Sequence, residues 1–372
     1  MKDFSFLKVE EGEDSKRVYP ETEHAYRNPF ERDRDRIVHS KAFKRLEFKT
    51  QVFIHSVGEN FRTRLTHTLE VSGIARTIAK TLGLNETVAE TIALAHDLGH
   101  SPFGHSGQDI LAELMHKYGG FEHNKQSLRI VQILENQYPA FPGLNLTYAT
   151  LSGIMKHGGS YSDSIFERYL KEKGPSLEAL IADKSDGIAY NSHDLEDGLE
   201  KRILKLEECL EVSLFQKFYS SVKSEYKSAN PTAIRRFSIR KILDHLVTDL
   251  LEETTKNLEK ATAIGQNPKN LLTKVEGKRG LVENSEPVQM QLVELKNFLH
   301  EKLYKHPEVL KESEFGKKIL EKLFFHLLEN PTLVSEQYRE REKTDGLHRV
   351  VCDFVAGMTD RYAKDLYEDW GL

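Results

Sequence analysis

Three histidines and an aspartate fall within ten residues of this chain: His96, Asp97, His100 and His105, in the run HDLGHSPFGH. The chain holds 16 histidines in 372 residues, so the density is local. His96 and Asp97 close an apolar helical run, Val88 to Ala95, and Gly99, Pro102 and Gly104 then break the helix. An imidazole beside a carboxylate is a donor pair for a divalent cation. Taken alone, such a pair more often marks a charged helix end entering a polar loop. The choice depends on what other donors the chain delivers to the same place.

The segment Arg64-Leu65-Thr66-His67 enters a helix in which Leu69, Val71, Ile74, Ala75, Ile78 and Leu82 recur at helical spacing, ended by Gly83. Asn85 caps the next helix, which carries Glu86 in its first turn and ends at His96 and Asp97. Two helices joined by so short a turn should pack antiparallel. His67 opens the first and His96–Asp97 closes the second, so the three side chains meet at one end of the pair. Further on, Pro175-Ser176 opens a helix with Leu177, Leu180, Ile181, Ile188 and Ala189 at apolar positions. It also carries Asp183 and Asp186, and a carboxylate on a core-facing stripe is costly unless paired or metal-bound. His67, His96, Asp97 and Asp186 would form a two-histidine, two-carboxylate site, with Asp183, one turn earlier, the rival for Asp186. Four ligands leave two positions on an octahedral ion, which would lower the pKa of a bound water and polarise a phosphoryl oxygen. His100, His105 and His123 are nearby candidates for proton transfer or phosphate contact.

The elements that must position these residues read as helices almost throughout. Residues 1–27 form a polar arm. Asn28 and Pro29 open a charged helix within 28–50, whose Arg32, Arg36, Lys44 and Arg45 suit either surface salt bridges or a polyanion or neighbouring subunit. Gln51 to Phe61 predicts a short hairpin or extended loop. Helices are expected at 108–118, 125–135, about 146–156 and 162–172. NSHDLEDG reads as a fresh start signal, with long helices at about 195–228 and 232–260. Residues 264–287 read as a loop or small hairpin, and helices resume from 288 to 372. The fold class is all-α with at most a small hairpin. The expected division is an arm over 1–27, a core over 28–210 and a helical C-terminal region over 211–372.

Composition narrows the function classes. The net charge is 53 − 58 = −5, so the bulk field favours neither nucleic acid nor an anionic membrane. Cys209 and Cys352 are far apart and lack ligand spacing, which argues against a zinc ribbon or disulfide scaffold and fits a reducing cytoplasm. The sequence shows neither a signal-type apolar region at its start nor a run of ~18 apolar residues that would span a membrane.

The pattern His67, His96–Asp97 and a later helical Asp186 resembles the HD-domain phosphohydrolases. NPFERDRDRIVHSKAFKRLEFKTQVF, TRLTHTLEV, HDLGHSPFGHSG, GGFEHNKQSLRIV, DGIAYNSHDLEDG and RVVCDFVAGMTDRYA narrow the resemblance to the dGTP triphosphohydrolase (dNTPase) family. The match runs from about residue 28 to the C-terminus and is weakest between 200 and 340. It implies an all-α HD-domain core with added C-terminal helices. It implies hydrolysis of deoxynucleoside triphosphates, dGTP or several dNTPs, to deoxynucleoside and tripolyphosphate. It implies one divalent transition metal (Mn, Fe, Co, Ni or Zn) at the HD site and magnesium with the triphosphate. A homo-oligomer, often a hexamer, and for some members a nucleotide or single-stranded DNA effector also follow from the resemblance.

By the same resemblance the metal ligands fall on His67, His96, Asp97 and Asp186. The catalytic histidines fall on His105 and His123, and a phosphate contact on Arg64. The sugar contacts fall on Tyr190 and Asp194, four and eight residues after Asp186, a spacing that favours Asp186 over Asp183. Gln51 and Val52 match positions flanking the deoxyribose, where a tight contact excludes a 2′-hydroxyl. The implied mechanism is in-line attack of water on the α-phosphorus, with Arg64 and His123 stabilising charge on the non-bridging oxygens and His105 protonating the leaving 5′-oxygen. Two positions depart from the family. Gln108 stands where an acidic residue usually holds the ring of His105, and Gly187 where relatives often carry Asp or Lys. The alternative readings are an HD phosphodiesterase or nucleotidase acting on another phosphoester, and a weakly active nucleotide-sensing or DNA-binding relative.

Overall fold

The computed structural model describes residues 3–51, 53, 62–155, 169, 174–263 and 280–372. Among them every regular element is helical, and extended segments meet only in isolated bridges such as Thr50 with Thr63. The first helices are α1 (Pro29–His39), α2 (Lys41–Arg45), α3 (Arg64–Thr81), α4 (Glu86–Ala95), α5 (Gly104–Leu114), α6 (His123–Arg129) and α7 (Tyr148–Ile154). Then come α8 (Leu177–Glu200), α9 (Leu206–Cys209), α10 (Ser213–Glu225), α11 (Pro231–Ala263) and α12 (Glu286–Leu299). The last are α13 (Pro307–Glu329), α14 (Glu336–Arg339), α15 (Glu342–Asp345), α16 (Leu347–Ala356) and α17 (Asp360–Asp369). None of the described helices is long and apolar enough to cross a membrane.

The chain divides into two units, each drawn from separated stretches. The first takes Met1–Val9, Glu70–Ala93 and Arg168–Val309; the second takes Glu10–Leu69, Leu94–Glu167 and Leu310–Leu372.

In the first unit α11 packs against α10 and α8, and α12 packs on α8 and α10. The buried faces carry Ile242, Leu246, Leu250 and Leu258 from α11 and Ile181, Ile188, Leu195 and Leu199 from α8. Asn85 caps α4, its side chain accepting from Val88 N at 3.2 Å. The buried Glu178 side chain ties the start of the chain to that cap: its Oε1 accepts from Val9 N at 2.9 Å and from Asn85 N at 3.0 Å.

In the second unit α1 begins with a capping box of Asn28 and Glu31, and it buries Phe30, Asp33, Arg36 and Ile37. It is therefore a core helix, more than a salt-bridged surface. Arg36 pairs with Glu21 at 2.8 Å and donates to the Leu144 and Asn145 carbonyls. Helices α14 and α15 pack on α16. The buried Asp353 of α16 receives Arg129 Nε at 2.8 Å and Gln126 Nε2 at 3.2 Å.

Several boundaries differ from expectation. NSHDLEDG does not start a helix: α8 runs unbroken through it. The apolar stripe continues through Leu195 and Leu199, and Asn191 and Ser192 bond back to the carbonyls of Gly187 and Ile188 inside the helix. The helix expected over 195–228 is instead interrupted after Glu200, where Arg202 has a positive φ of 58°. Helix α5 begins at Gly104 rather than 108, so His105 sits in its first turn. The segment after Arg129 is a π-turn over Ile130–Leu134, and α12 starts at Glu286. The hairpin expected within 51–61, the helix at 162–172 and most of the loop at 264–287 lie outside the described residues, apart from 51, 53, 169 and 280–287.

Candidate metal centre and catalytic loop

In the second unit the start of α3 meets the end of α4. The His67 and His96 rings lie 5.6 Å apart between centroids, and His67, His96 and Asp97 are all buried. Asp97 Oδ1 is 3.2 Å from His96 Nε2 and 3.1 Å from His100 Nε2. Its Oδ2 accepts from Arg64 Nη1 at 2.9 Å. Burial opposes ionisation of Asp97, but His96, Arg64 and His100 override it and hold the carboxyl well below its usual range. Burial and the Arg64 charge hold His100 well below the usual imidazole value, against the pull of Asp97, so its ring is neutral.

Arg64 is anchored by its backbone, whose N donates to Lys49 O at 3.1 Å. Its side chain is 2% exposed, yet Nε and Nη2 have no hydrogen-bond partner among the described residues. Gln51 Oε1 and Ser101 Oγ are likewise buried and without one. Unused donors on a buried guanidinium are costly unless an anion meets them. The buried imidazoles of His67 and His96 are donors of the kind a first-row divalent ion takes, so the chemistry at this end fits a metal.

The turn after Asp97 is locked from α6. Ser127 Oγ accepts from Gly99 N at 2.8 Å and donates to His96 O at 3.1 Å. A Cβ on Gly99 would lie 2.1 Å from His123 O, so only glycine lets α6 approach. That approach stacks His123 on His100 with centroids 4.1 Å apart. His123 Nδ1 lies 2.6 Å from Gln108 Oε1 and 3.1 Å from Glu122 Oε1, and His123 N donates to Gln108 Oε1 at 3.2 Å. Gln108 thus bonds His123, a contact the sequence reading did not anticipate. Burial depresses the His123 pKa, which Glu122 only partly restores. His105 is exposed, 6.0 Å from the His100 ring.

Two buried side chains that sequence reasoning missed support the loop 98–103. Lys49 Nζ donates to the His100 carbonyl and, at 2.9 Å, to Ala356 O. Burial, reinforced by Arg45, lowers its ammonium pKa to about 7. Asp360 accepts from the backbone of Thr50 and Phe103 at 3.0 Å each. Its motif, RVVCDFVAGMTDRYA, was visible in the sequence, but its role was not.

The first unit carries Asp183, Asp186, Tyr190 and Asp194 along α8. Tyr304, also missed and preceded by no motif, donates its hydroxyl to the Asp194 carboxylate and lies 6.3 Å from the Tyr190 ring. Burial and Asp194 push the Tyr304 phenol far up, so it remains a donor. Gln51 belongs to the second unit and is buried; Val52 lies outside the described residues.

Residues 64–191 match the HD domain, and residues 282–369 match the phosphohydrolase-associated domain. HD domains bind a divalent metal, as the donor set allows. A deoxyguanosinetriphosphate triphosphohydrolase-like protein of Leptospira interrogans (serovar copenhageni, strain Fiocruz L1-130) is 52% identical over 352 residues, 95% of this chain and 92% of its own length. Proteins described in the same words from Azoarcus sp. (strain BH72) and Nitrosomonas europaea are 44% and 42% identical, covering 93% and 92% of this chain and 91% of each relative. Similarity of this extent, over helices that carry the HD histidines and aspartate, places the chain in the deoxyguanosinetriphosphate triphosphohydrolase-like family of HD-domain phosphohydrolases.

Proposed function

We propose that this chain hydrolyses deoxynucleoside triphosphates to deoxynucleoside and tripolyphosphate. The observation that carries the reading is Arg64: a buried guanidinium with two idle nitrogens, fixed by Asp97 beside two buried imidazoles. Such a fork suits a phosphate held against the metal-binding end of the α3–α4 pair. His67, His96 and Asp97 would hold a divalent transition ion, with Asp186 the fourth ligand on the family pattern. When bound, that ion supplies Lewis-acid polarisation of phosphate oxygen and a more acidic water. Magnesium would accompany the triphosphate tail.

The chain's own residues divide the remaining work. Arg64 holds a non-bridging phosphate oxygen, and its planar fork fixes the orientation. His123, with Nδ1 turned to Gln108 and Glu122, presents Nε2 on the side away from them and contributes to the same charge stabilisation. His105, exposed at the start of α5, gives its proton to the leaving 5′-oxygen, a contribution worth ~10²–10⁴ in rate. On the family pattern Tyr190 and Asp194 contact the deoxyribose, and Gln51 and Val52 match the positions that flank it. Tyr304 orients the Asp194 carboxylate by its hydroxyl. The resemblance further supports a homo-oligomer, hexameric in many relatives, and a nucleotide or single-stranded DNA effector.

The test is a panel of the four dNTPs and their ribo-counterparts with manganese, cobalt, nickel, zinc, iron and magnesium, with products resolved by chromatography. Tripolyphosphate from dNTPs supports the reading. Inorganic phosphate or a nucleoside monophosphate would replace it with a nucleotidase or phosphodiesterase. No turnover with any metal would point to a nucleotide-sensing relative.

A further inference from the structure

We propose that Asp360 is a positioning residue that holds the loop leading into α5, and with it His105, in register with the segment carrying Gln51. The inference rests on the reading of His105 as the acid on the leaving oxygen. Asp360 opens α17, just after its cap Thr359, and is 6% exposed. One carboxylate oxygen, Oδ2, accepts from Thr50 N at 3.0 Å and from the Thr50 hydroxyl. The other, Oδ1, accepts from Phe103 N at 3.0 Å. A single side chain thus fixes two separate backbone stretches. Thr50 directly precedes Gln51, and Phe103 is two residues before His105.

Phe103 needs holding. It is a non-glycine residue at φ 60°, a left-handed conformation that a bulky side chain rarely adopts and that persists only when its surroundings enforce it. Residues from the last third of the chain hold it and the turn that follows. Asp360 binds the Phe103 amide. Gly316 leaves room for the Phe103 ring, where a Cβ would lie 2.8 Å from Phe103 Cβ and Cγ. Ser313 Oγ meets Ser106 Oγ at 2.6 Å in the first turn of α5. Lys49 adds a parallel tie between the His100 and Ala356 carbonyls, next to Thr50 in sequence. A general acid displaced by ~1 Å loses on the order of a hundredfold in rate, so the geometry of this tether bears on turnover more than on binding.

The test is Asp360→Asn. It is isosteric but offers one acceptor oxygen and turns an N–H₂ toward a backbone donor. Amide hydrogen exchange of the whole chain should quicken by about tenfold or more at 49–51 and 100–104, while α10–α12 stay as protected as in the wild type. With dNTP and metal, kcat should fall by about 10- to 100-fold with KM changed far less, and the loss should vanish on a His105→Ala background. Asp360→Glu keeps both acceptors on a longer arm and should fall between Asn and wild type in both readouts; it carries the test alone if Asn does not fold. Wild-type exchange at those segments, or an undiminished loss on the His105→Ala background, would overturn the proposal. If the wild type releases no tripolyphosphate, the functional reading fails, and the exchange comparison still decides whether Asp360 holds the loop.

Discussion

Gln108 Oε1 sits 2.6 Å from Nδ1 of His123, and it also accepts the His123 backbone N–H. The amide oxygen therefore accepts a hydrogen bond from Nδ1–H and leaves Nε2 as the imidazole's outward nitrogen. A neutral acceptor does this without favouring the imidazolium.

Gln108→Glu should raise the His123 pKa. In the wild type burial is the largest influence and lowers it, Glu122 and Asp97 raise it, and Arg64 and His105 lower it. A second carboxylate on Nδ1 stabilises the charged form, so protonation should persist to higher pH, often by one unit or more. Histidine ring resonances followed by NMR across pH 4–9 read this directly. If His123 charge aids turnover, the alkaline limb of the rate profile moves up with it. An unmoved His123 titration in Gln108→Glu would remove the argument.

Removal of a metal ligand is the second expectation. Protein purified without chelator should carry about one divalent transition ion per chain, and Asp97→Ala should lose it. Elemental analysis checks this, and equal metal content in the variant would show that Asp97 is no ligand.

Arg64→Lys keeps the positive charge but loses the fork, while Arg64→Ala loses both. The expected order of kcat/KM on a dNTP is wild type above Lys above Ala, with Ala down by about a hundredfold or more. Steady-state kinetics with metal content measured in parallel separates a lost phosphate contact from a lost ion. An Ala variant that matches the wild type would rule Arg64 out as that contact.

The Tyr304 hydroxyl and Asp194 should act together. Tyr304→Phe deletes one bond to a charged group, which corresponds to roughly ten- to a hundredfold in kcat/KM if Asp194 must be oriented. Asp194→Ala should cost at least as much on every dNTP while thermal unfolding changes little. The double variant should lose little more than Asp194→Ala alone, and full additivity would separate the two residues.

Glu178 gives a pH-dependent stability prediction. Burial raises its carboxyl above the ordinary value, against the favourable N–H groups of Val9 and Asn85. For an acid raised in the folded state, stability is greatest below the unfolded pKa and declines as pH rises through the folded one. Glu178→Gln does not titrate, so its melting temperature relative to wild type should climb between pH 4 and pH 8. Glu178→Ala instead orphans both amides, at about 1–3 kcal/mol each. Melting curves across that range decide, and a pH-independent difference for Gln would contradict the mechanism.

The helices and the metal-binding end were legible because their signals are local. The apolar spacing of α3 and α4, the short turn at Gly83 and the Asn85 cap together require His67 and His96 to meet. What escaped depends on contacts across hundreds of residues. Nothing near Asp360 announces Phe103 as its partner, and nothing near Tyr304 announces Asp194. The start of α5 was misplaced because Gly104 reads as a helix breaker, whereas here it follows Phe103 in left-handed geometry that distant residues impose. NSHDLEDG misled for the converse reason: Asn191 and Ser192 donate back to carbonyls of their own helix, whose buried stripe overrides local preference.

The bond between Phe103 and Asp360 joins positions 257 residues apart. During synthesis the histidines and aspartate of the metal-binding end emerge in the first third of the chain, but the carboxylate that fixes their loop emerges almost last. A nascent chain can therefore acquire ligands early without acquiring an aligned acid. On the proposal that Asp360 aligns His105, full turnover waits until translation is nearly finished, and a chain that lacks the Asp360 carboxylate should still take up metal while turning over nucleotide more slowly.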